Sequence, residues 1–116
     1  MLSSEPMRKA DLFVEIVATY RKHGWQLRSA LLQPETRQEL STQELGLLAT
    51  AIKEGPIDAL WFSRASHDNR EAWELRLLAE TQYALFETFE ADETEEQREG
   101  VRHEMEARLR EYVIKA

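Results

Sequence analysis

Three short, aromatic-rich segments in the second half of the chain limit the fold more than any other feature. They run from Ile57 to Arg64, Glu71 to Ala79 and Gln82 to Glu90, and polar turn formers bound each one. Their length and their Trp, Phe, Leu and Thr content suit a pleated surface. Consecutive strands joined by short loops pair as an antiparallel meander. Side chains alternate between the two faces, so the pairing register decides which residues meet.

A turn at Ser66-His67-Asp68-Asn69 predicts Phe62 opposite Trp73 and Leu60 opposite Leu75. A four-residue loop from Glu80 to Tyr83 predicts Leu77 opposite Phe86 and Arg76 opposite Glu87. A two-residue loop at Glu80-Thr81 would set Glu74 against Glu87, and like charges disfavour that register. One predicted face therefore carries Leu60, Phe62, Trp73, Leu75, Leu77 and Phe86 as a seat for helices. The other carries Trp61, Leu78, Leu85 and Phe89 around Ser63, Glu74, Arg76 and Glu87. That second face is too apolar for open water and too charged for an ordinary core.

Helical periodicity flanks the meander. The first helix is predicted from Glu5 to His23, with Ser4 as N-cap, Pro6 in its first turn and Gly24 as its stop. Ala10, Phe13, Val14, Val17 and Tyr20 form its apolar stripe. Trp25 to Leu32 reads as a strand with Trp25, Leu27 and Leu31 on one face, and Pro34 opens a helical turn through Leu40. Ser41-Thr-Gln-Glu44 has capping-box spacing and opens a helix burying Leu45, Leu48, Ala49 and Ile52 up to Gly55-Pro56. Thr94-Glu-Glu-Gln97 repeats that spacing before a final helix with the stripe Val101, Met105, Leu109, Tyr112 and Val113.

These elements predict a single α+β domain over residues 1–116, in the order α-β-α-β-β-β-α. An antiparallel sheet of about four strands carries the terminal helices on one face, with the Trp25 to Leu32 strand at an edge. At 116 residues such a domain hides roughly two-thirds of its surface and needs no metal or disulfide to fold.

Charge narrows the partners. The net charge is −7 and is graded: residues 1–53 sum to +1, residues 54–86 to −3 and residues 87–116 to −5. A chain with its negative charge at one end repels phosphate backbones and anionic lipid, so neither nucleic acid nor membrane is an expected partner. No stretch approaches a membrane span, no signal-peptide core follows Met1, and a cytoplasmic location is expected. The absence of cysteine excludes disulfides, thiolate metal sites and thiol nucleophiles. The acidic run Glu90 to Glu96 lacks the ligand spacing of a calcium loop and reads as the start of a helix, where the macrodipole favours carboxylates.

Catalytic signatures are sparse. His103 begins a His-Glu-Met-Glu-Ala run that has Ala107 where a zinc helix needs its second histidine. His23 suits a helix C-terminus. His67 sits among Ser66, Asp68, Arg64 and Arg70, but triads are assembled from separate elements, and a polar hairpin tip needs such residues anyway. The four glycines form no phosphate-binding spacing. No cofactor, metal or catalytic residue is therefore assigned.

The leading expectation is a non-catalytic domain that binds a protein partner or itself. Its surface would be the mixed face: Trp61, Arg64, Glu74, Arg76, Leu78, Leu85, Glu87 and Phe89. A two-fold homodimer through Trp61, Leu78, Leu85 and Phe89 would cover the apolar part of that face. The alternative is a small-molecule-binding domain or enzyme using Glu74, Arg76 and Glu87, with Arg64 and His67 at the rim.

Overall fold

The computed structural model describes residues 8–47 and 51–115. Its elements are α1 (Lys9–Lys22), β1 (Gln26–Leu32), α2 (Pro34–Glu39), α3 (Thr42–Leu47), β2 (Ile52–Glu54), β3 (Ala59–Ala65), β4 (Glu71–Leu77), β5 (Ala84–Phe89) and α4 (Glu95–Lys115). The expected helix start at Ser4 to Pro6, and Leu48 and Ala49, lie outside the described residues. The strands form one sheet in the order β2-β1-β3-β4-β5. The α+β class holds, and the four longer strands pair antiparallel as expected. A fifth strand makes the sheet mixed: β2 pairs parallel to β1, with Ala30 opposite Ile52 and Leu32 opposite Glu54. Ile52 thus belongs to a strand and not to the helix its spacing suggests, and β2 takes the edge position expected of β1.

Loop geometry resets both predicted registers. Asp68 and Asn69 adopt left-handed backbone angles (φ 57° and 61°), which short polar residues tolerate best. They close a five-residue loop through Ser66 N to Arg70 O at 2.8 Å. Phe62 consequently faces Glu74, and Trp61 faces Leu75. One residue of slip sends every side chain of β4 to the opposite face.

The next loop spans six residues and closes through Leu77 N to Tyr83 O at 3.0 Å. Arg76 lies inside it, donating from Nη1 to the carbonyls of Leu77 (2.6 Å) and Thr81 (3.1 Å). Leu75 therefore faces Leu85 and Arg76 faces Ala84. In β1 a bulge inserts Arg28 between the Leu27–Phe62 and Ser29–Trp61 pairs, so Leu27 and Leu31 point to opposite sides.

The two terminal helices lie on opposite faces, which corrects the expected one-face arrangement. Phe13, Ile16 and Val17 of α1 pack with Ala30, Leu32, Leu60 and Phe62. Met105 and Leu109 of α4 pack with Leu31, Ala59, Trp61, Leu75 and Leu77. The alternating residues of β3 thus feed two separate cores. The flipped register explains it: Trp73, Leu75 and Leu77 join Trp61 to build a second apolar face that a helix must cover.

Several local signals form as their spacing predicts. Thr94 and Gln97 make the reciprocal capping box, Gln97 N to Thr94 Oγ1 at 3.1 Å and Thr94 N to Gln97 Oε1 at 2.9 Å. Glu95 and Glu96 occupy the first turn of α4. Val14 leaves the α1 stripe and stays 45% exposed, while Leu12 and Ile16 enter the core. No helix among the described residues is long and apolar enough to cross a membrane.

Candidate functional site

Five strands at about 4.8 Å spacing make a sheet about 24 Å wide, whereas one helix is about 10 Å across. Each face is consequently covered only in part. On one side α1 lies over β1 and β3 and leaves β4 and β5 open. On the other, α4 lies over β3 to β5 and leaves β1 and β2 open. The two open flanks are the recesses of the molecule.

The α1-side flank is a trough of about 320 Å³. Ile16, Thr19 and Tyr20 form one wall, Glu74 and Arg76 the floor, and Ala84 and Gln82 the far side. Tyr20 stacks on Phe62 with ring centroids 4.1 Å apart and donates its hydroxyl proton to Glu74 Oε2. Burial raises the Tyr20 phenol above the ordinary tyrosine range, and the Glu74 carboxylate beside it adds to the rise. Arg76 is buried, at 9% exposure. Beyond the trough, Phe86 stands 58% exposed on β5, its ring 6.4 Å from that of Trp25.

The α4-side flank is a cleft of about 340 Å³ whose sheet wall includes Arg28, Ser29 and Lys53 and whose helix wall includes Glu99, Arg102, His103 and Glu106. Trp61 donates from Nε1 to Glu106 Oε2 at 2.8 Å, and Arg102 lies 4.6 Å from the Trp73 ring while pairing with Glu95. These contacts fasten α4 to the sheet.

The eight residues expected on one mixed face are divided between the two sides. Glu74, Arg76, Leu78 and Arg64 lie on the α1 side. Trp61, Leu85, Glu87 and Phe89 lie on the α4 side, because Trp61 neighbours Leu75, and Leu75 neighbours Leu85. Glu74 and Arg76 meet as expected, but Glu87 is on the opposite face and cannot join them. Arg64 sits at the other end of β3, over the Trp25 ring at 4.5 Å, donating to His23 O at 3.0 Å. His67 is exposed at the loop tip. Trp61, Leu78 and Phe89 are buried at 4%, 0% and 1% exposure and Leu85 is half-buried, so most of the apolar surface expected for a homodimer is covered within the chain. Tyr20 is the site residue that sequence reasoning placed only in a helix stripe; its hydroxyl was the signal of a second role.

Asp58 forms a separate polar anchor that sequence reading passed over. At 5% exposure it accepts from Gln33 N (2.8 Å) and Thr36 Oγ1 (2.7 Å), with Lys9 Nζ at 3.5 Å. Its own carbonyl accepts from Leu78 N at 2.9 Å. The carboxylate thereby joins α1, the start of α2 and the β3 strand, a structural role. Among the described residues, no group of three or more His, Asp or Glu side chains is placed to hold a metal ion. No family of proteins, no curated protein and no solved structure matches this chain.

Proposed function

We propose that the chain is a non-catalytic interaction domain that captures an extended segment of a partner protein along the outer edge of β5. The observation that carries this reading is the open, unblunted edge. Leu77 N bonds to Tyr83 O, so with the β4–β5 register the N–H and C=O groups of Ala84, Phe86 and Thr88 point outward. Among the described residues no strand pairs with that side, and the outward groups make only a 3.4 Å contact between Thr88 N and Glu87 Oε1. Natural edges are usually blunted by lysine, proline or a bulge. Residues 84–89, Ala-Leu-Phe-Glu-Thr-Phe, contain no lysine, proline or glycine.

Charge selects the kind of segment. Self-pairing of β5 would bring together two copies of the −5 region, whereas a segment with basic residues is attracted to it. An added strand that alternates apolar residues beside Phe86 with Lys or Arg beside Glu87 satisfies both faces of the edge. A cytoplasmic setting for this encounter is part of the same proposal; with no cysteine, the chain needs no oxidising compartment to fold.

The test is amide hydrogen exchange with a short peptide of alternating valine and lysine. Protection of the Ala84, Phe86 and Thr88 amides, absent with the valine–glutamate peptide and lost in Phe86→Lys, supports strand addition. Unchanged exchange throughout β5 at saturating peptide would overturn it.

A further inference from the structure

The α1-side trough holds a charge arrangement that strand addition at β5 does not use. Arg76 is nine-tenths buried, yet no carboxylate among the described residues comes within 4.0 Å of its nitrogens. One nitrogen, Nη1, is spent on loop carbonyls. The Tyr20 hydroxyl also lies beside the guanidinium; Nε and Nη2 make no bond to a carbonyl or carboxylate of the described residues, and the side chain lines the trough. A guanidinium in this state offers a fixed fork to a planar anion, and the loop carbonyls have already set its orientation.

The anion it would accept cannot be a strongly charged one. Glu74 lies two residues away on the same face of β4, about 7 Å along the strand, and Glu15 stands on the opposite wall. Glu74 has one oxygen engaged by Tyr20 and the other without a partner among the described residues. A phosphate or dicarboxylate would meet two repelling carboxylates, and a simple cation would meet Arg76. A ligand bearing both signs meets a partner at each end.

We propose that this trough binds a free α-amino acid, its carboxylate on Arg76, its ammonium group on Glu74 and its side chain toward Ile16 and Ala84. The neutral Tyr20 hydroxyl fixes the Glu74 carboxylate by donating to it, so Glu74 is held as the acceptor that an ammonium group requires. A volume of about 320 Å³ is at the lower end of small-molecule sites and suits a ligand of this size. A peptide terminus offers only one of the two charges at this spacing, so the free amino acid is the favoured occupant.

The test is titration of the unaltered protein with L-leucine, followed by calorimetry and by the amide resonances of Tyr20, Glu74 and Ala84. Saturable binding is expected, with L-leucinamide, N-acetyl-L-leucine and 4-methylpentanoate each weaker by about tenfold or more, since each lacks one charged group. Glu74→Gln should weaken L-leucine by a similar factor while 4-methylpentanoate binds as well or better, since the carboxylate that repels it is gone. The ligand series is preferred to substitution of Arg76, which also holds the β4–β5 loop. Equal binding of all four compounds, no saturable shift at about 10 mM ligand, or a Glu74→Gln protein with unaltered affinity for L-leucine would each overturn the proposal.

Discussion

Replacing Asp58 tests whether one buried carboxylate holds three elements in place. Asp58→Ala removes the acceptor of Gln33 N and of Thr36 Oγ1, at 2.8 Å and 2.7 Å, and the ion pair to Lys9. Hydrogen bonds to a charged group contribute about 1.5–3 kcal/mol each. Lys9 is 35% exposed, so its share is screened and stays below about 1 kcal/mol. Relief from holding a carboxylate at 5% exposure offsets part of the loss. The expected net destabilisation is about 2–4 kcal/mol, or roughly 6–15 °C in a thermal melt of a chain this size.

Asp58→Asn should fall between wild type and alanine, at about 1–2 kcal/mol. Its amide oxygen can still accept from Gln33 N, and its NH₂ can donate to the Thr36 hydroxyl. Urea unfolding of both variants, with a double-mutant cycle to Thr36→Val, measures the terms separately. An alanine variant that melts with the wild type, or zero coupling between positions 36 and 58, would refute the anchoring role.

Three further outcomes follow from other contacts. Thr94→Ala breaks the reciprocal bonds with Gln97 and should cost about 1 kcal/mol, read as a shift in the urea midpoint. Leu109→Ala empties a fully buried position between α4 and the sheet and should cost about 2–5 kcal/mol by the same assay. Tyr20 keeps its proton in the folded state to higher pH than in the unfolded chain, so stability should fall as pH rises above about 10, the ordinary tyrosine value. Urea midpoints at about pH 9 and pH 11 should converge in part in Tyr20→Phe; an identical pH dependence in both proteins would show that Tyr20 is not responsible.

What the sequence determined by itself is local. The Thr94–Gln97 box, the Met105 and Leu109 stripe, the helical turn at Pro34 and the strands β1, β3, β4 and β5 are written in short windows, because their bonds and periodicities close within a few residues. Glu74 and Arg76 were legible as neighbours for the same reason, since positions two apart on a strand share a face. The tertiary structure decided what depends on distant atoms. Left-handed Asp68 and Asn69 lengthened one loop, and Arg76 filled another, and these two loops chose the faces of Trp73, Leu75, Leu85 and Glu87. The three-residue strand β2 was hidden by helical spacing through Ile52, because its evidence is pairing with β1 and not any pattern of its own. Once the register had made both faces apolar, α1 and α4 had to cover opposite sides. Two helices narrower than the sheet then left the open flanks in which Tyr20 meets Glu74 and Phe86 meets water.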